Sequence, residues 1–131
     1  MADWSREWSL VQHKPVLKQN SSEPVVRISK GHFAPHQFDE VARLIRASSA
    51  PLAPALQALD GLLYYHASVD RTTNTVVNVS IWETETAAKQ MDTLAPMLAQ
   101  RPILEAAGVR FDQIANYAPL WKIEAGWSFG N

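Results

Sequence analysis

Six side chains in this sequence could together handle a small aromatic molecule. They are Tyr64 and His66 in "LLYYHASVD", Asn78, Ser80 and Trp82 in "VVNVSIWET", and Arg27 in "PVVRIS". Within each run they recur at a spacing of two, which puts them on one face of a strand. An imidazole can take a phenolic proton, and a carboxamide or an indole N–H can donate to a developing oxyanion. His66, Asn78 and Trp82 are therefore the catalytic candidates. Tyr64, Ser80 and Arg27 would bind substrate, Tyr64 by stacking or by donating its hydroxyl. A structural use of the same residues competes: His66 and Asn78 on an interface can satisfy each other, and Trp82 can be core.

These residues need strands to carry them. "LLYYHASVDRTTNTVVNVSIWET" is two alternating runs around a polar turn, the pattern of a β-hairpin. Pairing like face with like face, with Leu63, Tyr65, Ala67 and Val69 against Val77, Val79 and Ile81, requires an odd-numbered turn of about three or five residues. Tyr64, His66, Asn78, Ser80 and Trp82 would then cluster on the face away from the helices, with Arg27 beside them.

The rest of the chain supplies the frame. "PVVRIS" opens the body as a strand, and "FAPHQFDEVARLIRASSA" switches to helical period through Phe38, Val41, Leu44 and Ile45, with Pro35 opening the helix. Ala50 precedes Pro51 and is pushed off the α region, so "PLAPALQALDG" is expected as a separate helical segment stopped near Gly61. A second helical region carries the stripe Ala87, Met91, Leu94, Ala95 and Leu98, interrupted at Pro96. "RPILEAAGVRF" adds a short helix ending at Gly108, and a last strand lies in "IANYAPLWKI", broken or edged by Pro119. The order is βαββαβ, an α+β, ferredoxin-like arrangement of an antiparallel sheet with its helices on one face. The other face is too large to leave bare, so a homodimer is expected.

Composition bounds the partners. The 131 residues are 47% hydrophobic and 19% charged, enough for one domain, read as residues 24–123 between an N-terminal extension (1–23) and a C-terminal tail (124–131). Trp4 and Trp8 share a helix face in the extension, as an anchor on the domain or on a partner subunit would. Twelve basic against thirteen acidic residues give a net charge of −1, with no electrostatic case for nucleic acid or an anionic membrane. The start "MADWSREW" has charges where a signal peptide needs an apolar run, and no segment approaches a membrane span. The absence of cysteine fits a reducing, cytoplasmic setting and removes thiolate chemistry. His32 and His36 flank Pro35 with no third ligand nearby, and the glycines form no phosphate loop. No heme, flavin or metal is expected.

The stretch "GLLYYHASVDRTTNTVVNVSIWETETAAKQMDTLAPMLAQRPILEAAGVRFDQIANYAPLWKI" resembles the antibiotic biosynthesis monooxygenase-like group of dimeric α+β barrel proteins, over roughly residues 24–123. The resemblance implies two ferredoxin-like protomers pressing their sheets into a barrel. The group includes cofactor-independent oxygenases of polycyclic phenols, heme-degrading monooxygenases and members of unknown activity. Asn78 and Trp82 are similar to a pair that holds substrate oxygens in the cofactor-independent oxygenases. The tyrosine of that pattern is replaced by Ala88, and its arginine is matched approximately by Arg101. The heme-ligating histidine would fall near Asp92, which disfavours heme degradation. Two functions stay open: a small cofactor-independent monooxygenase acting on an aromatic or quinone-like molecule, and a non-catalytic dimeric barrel that binds a small hydrophobic ligand or serves as an interaction module.

Overall fold

The structure, a computed structural model, describes residues 23–124. The Trp4–Trp8 anchor and the last seven residues of the tail lie outside the described residues. Five antiparallel strands form one sheet: β1 (Val25–His32), β2 (Leu62–Asp70), β3 (Thr75–Trp82), β4 (Arg110–Phe111) and β5 (Ala115–Tyr117). Their order is β2-β3-β1-β4, with β5 also on β1, so β4 and β5 share the edge that a single last strand would occupy. Helices α1 (Phe38–Ala47), α2 (Ser49–Gln57), α3 (Glu85–Ala88) and α4 (Ala95–Ala106) complete a ferredoxin-like α+β fold. No helix among the described residues is long and apolar enough to cross a membrane.

Prolines open helices here more than they break them. Pro51 lies in the first turn of α2, where a missing N–H is harmless, so Ala50 is helical and the break falls at Ser48. Pro96 likewise sits at the start of α4, and the stripe is interrupted two residues earlier at the extended Leu94. Residues 95–106 then form one helix through Pro102 rather than two. Strand β4 follows Gly108, whose φ of +105° suits glycine, in a stretch where the sequence suggests only a helix end. Strand β5 stops before Pro119, as the ring's missing donor requires.

The main correction concerns the hairpin. Its turn has four residues, Arg71 to Asn74, not three or five. Asp70 Oδ2 accepts from both the backbone N–H and the hydroxyl of Thr73, and Asn74 closes the turn at φ +54°. An even turn pairs Tyr65 with Ser80, Ala67 with Asn78 and Val69 with Val76, while His66 faces Val79 and Tyr64 faces Ile81. A bulge at Leu63 realigns the far end so that Leu62 meets Trp82.

The helices cover the other set of β3 from the one expected. Val76 and Trp82 are 1% and 0% exposed. One core cluster joins Trp82 to Val25, Leu52, Leu56, Ala88 and Met91, and the second joins Val76 to Phe33, Val41, Leu104 and Val109. Burying a full indole outweighs the cost of carrying Asn78 and Ser80 to the same side. The purely branched set Val77, Val79 and Ile81 is left on the open face with Val26, Ile28, Tyr64 and His66.

Candidate functional site

A cleft of about 170 Å³ lies between the sheet and α4. Its floor is the helix-facing side of β1, β3 and β2. Arg27 pairs with Ser80 and Ser29 with Asn78 across β1 and β3, and Tyr65 of β2 sits beyond Ser80. Met91 and Asp92, from a 3-10 segment at Lys89–Thr93, form one rim. Helix α4 supplies the wall through Met97, Leu98, Arg101 and Leu104, and Phe111 and Ile114 close the end. Leu98 and Ile114 are 54% and 38% exposed, which places them at the mouth. Gly31 makes the closed end workable, because a Cβ there would stand 2.6 Å from Val109 and press on the Phe111 ring.

The polar groups of the floor differ in how far they are satisfied. Arg27, on the central strand, is 6% exposed, and its guanidinium donates to Asp92 Oδ1 at 2.6 Å and weakly to Asn116 Oδ1 at 3.4 Å. Trp82 Nε1–H donates to Ser80 Oγ at 2.8 Å, which orients that hydroxyl from behind. Asn78 Oδ1 is buried with no hydrogen-bond partner. An unpaired buried amide oxygen costs about 1–3 kcal/mol, so its presence here calls for a reason. Burial pushes the Tyr65 phenol up to about 12, so it stays a neutral donor across the physiological range. At the mouth, Arg101 Nε donates to Glu105 Oε2 at 2.8 Å and its guanidinium lies 5.0 Å from the Phe111 ring centre.

The six candidate residues are thus divided. Arg27, Asn78 and Ser80 meet in the cleft. Trp82 is behind them in the core, with its N–H already spent on Ser80, so it positions rather than touches a ligand. Tyr64 and His66 stand on the opposite face of the sheet, where His66 Nδ1 bonds Ser68 Oγ at 2.8 Å and the Tyr64 and His66 rings lie 5.5 Å apart. The expected grouping of His66 with Asn78 fails because the four-residue turn shifts β2 by one residue, and such a slip exchanges its faces.

Tyr65, Ser29 and Asp92 were not singled out from the sequence, and the turn chemistry of Asp70 and Thr73 was the signal that could have brought Tyr65 in. Met91 and Leu98, read there as a core stripe, also line the cleft. Among the described residues no group of three or more His, Asp or Glu side chains could hold a metal. His32 instead pairs with Asp112, Nε2 to Oδ2 at 2.9 Å.

No protein-family model matches the chain, and neither does any curated protein sequence. Solved structures do. Rv0793 from Mycobacterium tuberculosis is 19% identical, with a TM-score of 0.59, over 77% of this chain and 99% of that one. SnoaB, a cofactor-independent oxygenase from Streptomyces nogalater, is 18% identical with a TM-score of 0.53, over 79% of this chain and 99% of that one. A Deinococcus radiodurans protein provisionally described as an antibiotic biosynthesis monooxygenase is 17% identical with a TM-score of 0.60, over 77% of this chain and 97% of that one. At such identities the likeness is one of architecture, and architecture alone does not carry chemistry. The chain has the fold of the antibiotic biosynthesis monooxygenase-like proteins.

Proposed function

We propose that this protein is a cofactor-independent monooxygenase that oxidises a small phenolic or quinol-like aromatic in the cleft, and that it works as a homodimer joined through the open face of the sheet. One observation carries the proposal: the unpaired Asn78 Oδ1 on the floor of an apolar-walled cleft. A ligand hydroxyl donating to Oδ1 would complete its hydrogen bonding. The cleft is smaller than the roughly 300–1,000 Å³ of drug-sized sites, so it suits one or two rings, or a larger ligand projecting past Leu98 and Ile114.

In such a reaction the substrate supplies the electrons. Arg27 and the Nδ2–H2 group of Asn78 donate to the ionised phenol, whose charge spreads to a ring carbon, since Oδ1 can only accept. That carbon transfers an electron to dioxygen, and the radical pair joins as a C–O bond. Where the carbon was a CH2, the resulting hydroperoxide loses water to leave a carbonyl, so one dioxygen yields one ketone oxygen and one water. Asp92 is the one carboxylate on the lining and the side chain placed to take the phenolic proton and return it to the peroxide that forms. Tyr65 and Ser80 add neutral donors toward the developing oxyanion.

A non-catalytic barrel that binds a hydrophobic ligand is the alternative, favoured by the position of His66 on the far side of the sheet, which leaves the cleft lining without an imidazole. Oxygen uptake with a panel of anthrones, quinols and catechols separates the two. Oxygenase activity predicts uptake that falls about 100-fold in Asn78→Ala, the usual cost of losing one oxyanion donor. Thermal stabilisation by the same compounds without oxygen uptake would leave the binding protein.

A further inference from the structure

We infer that the ligand of this cleft carries an anionic group, and that Asp92 is the resident carboxylate which that group displaces from Arg27. The inference rests on the cleft being the ligand site, as proposed above. Arg27 is held on the central strand with its side chain 7% exposed, and a guanidinium keeps its charge under all ordinary conditions. A buried, unpaired charge is strongly unfavourable, so the guanidinium keeps an acceptor beside it, best an anion. In the free protein that anion is Asp92, at 2.6 Å.

The two partners are unequally anchored. Arg27 is fixed by strand pairing on both sides, to Ser80 and to Asn116. The Asp92 side chain is 57% exposed and belongs to the 3-10 segment Lys89–Thr93, whose hydrogen bonds are poorer than those of an α-helix. Turning Asp92 out to water therefore costs far less than moving Arg27. The second contact of the guanidinium, to Asn116 Oδ1 at 3.4 Å, is long, which leaves donors for a bidentate acceptor.

Local charge points the same way. Arg27 and Arg101 are the cations of the lining and Asp92 its one anion, and Arg101 is already paired with Glu105, so withdrawal of Asp92 leaves the Arg27 charge uncompensated between the polar floor and the apolar wall. A carboxylate attached to an aromatic ring satisfies both features: its charge replaces Asp92 and its ring fills the space between Met97 and Phe111. The anchored acid would also hold the ring at a set distance from Asn78, in the adjacent row of the floor.

Calorimetric titration with hydroxynaphthoate and with its methyl ester tests this, since the two probes differ in charge and little in shape. The acid is expected to bind at least about tenfold more tightly, the usual worth of a hydrogen bond to a charged group. Raising ionic strength should weaken the acid and leave the ester unchanged. Asp92→Asn, a change at an exposed side chain, should tighten the acid by removing its competitor. Arg27→Met should abolish the preference, and the Asp92 variant and the salt series decide the matter should the buried substitution prevent folding. Equal binding of acid and ester, or weaker acid binding in Asp92→Asn, would overturn the anionic ligand alone. Binding of neither probe would overturn the cleft as a ligand site and the inference with it.

Discussion

In their middle rows the two faces of the sheet depart from the usual polarity in opposite directions. Beneath the helices, where an apolar layer is the ordinary solution, lie Arg27, Ser29, Asn78 and Ser80. On the open face, where alternation normally puts polar groups, lie Val26, Ile28, Val77, Val79 and Ile81, with Tyr117 at 54% exposure beside them. Each face violates the usual pattern in a way that asks for a partner. The covered face has polar groups that protein atoms do not fully satisfy, which suits a ligand with oxygens. The open face has branched apolar groups without cover, which suits a second sheet. A single change of register would exchange these roles for β2, so the pairing of the hairpin decides which β2 side chains meet the polar floor.

The strongest way to break the contrast is at Trp82, which ties the polar floor to the core. Trp82→Ala removes a fully buried indole and strands Ser80, and should cost about 3–5 kcal/mol in urea unfolding. A loss below about 1 kcal/mol, within the range of ordinary surface substitutions, would mean that Trp82 does not anchor the covered face.

On the open face the corresponding change is Val79→Glu. Val79 lies on β3 between β1 and β2, opposite Ile28 and His66. A charge buried in a sheet-to-sheet contact without a partner costs several kcal/mol, so association should weaken by roughly a hundredfold or more. Sedimentation at micromolar concentration should show a dimer for the wild type and a monomer for the variant. A wild type that sediments as a monomer would remove the barrel.

Element order was legible because it depends on periods that the chain displays openly: Val26 to Ile28 alternate, and Phe38, Val41, Leu44 and Ile45 recur every three or four residues. The ferredoxin-like arrangement follows from them. Arg27, Asn78 and Ser80 could be recognised as candidates because polar groups at alternating strand positions are unusual between valines. Two things were not legible. The parity of the hairpin turn depends on the hydrogen bonds from Thr73 to Asp70, a local effect that outweighed like-with-like pairing of apolar sets. Which face of β3 the helices cover depends on the summed volumes of Trp82, Leu52 and Leu56, a tertiary competition that no period expresses. Together they moved Tyr64 and His66 out of the site and brought Tyr65 in.

Tyr65 sharpens the comparison by pH. Its phenol titrates at about 12 in the folded chain because burial disfavours the phenolate, against about 10 when unfolded. Between these values the folded state holds the proton and the unfolded state has released it. The contribution is complete below about pH 10 and is lost as pH rises toward 12, about 2–3 kcal/mol in all. Tyr65→Phe removes this part of the alkaline destabilisation. An alkaline profile for Tyr65→Phe that matches the wild type would mean that the covered face is not dry at Tyr65.

The smallest expected effect is the most discriminating, because its sign separates function from structure. Asn78 contributes a buried oxygen without a partner, so the folded chain bears a desolvation cost with no hydrogen bond in return. Were Asn78 present for stability, its removal would lower the melting temperature, as removal of a satisfied buried amide does. The geometry predicts the reverse for Asn78→Ala: unfolding free energy unchanged or raised by up to about 1 kcal/mol, the lower end of the cost of an unsatisfied buried group. The lost packing of one short side chain offsets part of that gain and keeps the net small. Ala67, its neighbour across β2, provides the control, since Ala67→Gly removes a methyl group from the same region and should only destabilise. A stability-neutral Asn78→Ala that also loses the thermal shift given by hydroxynaphthoate would mark the carboxamide as kept for a ligand. A clearly destabilised variant whose ligand response is intact would mark it as a structural residue, and the polar floor would then need another explanation.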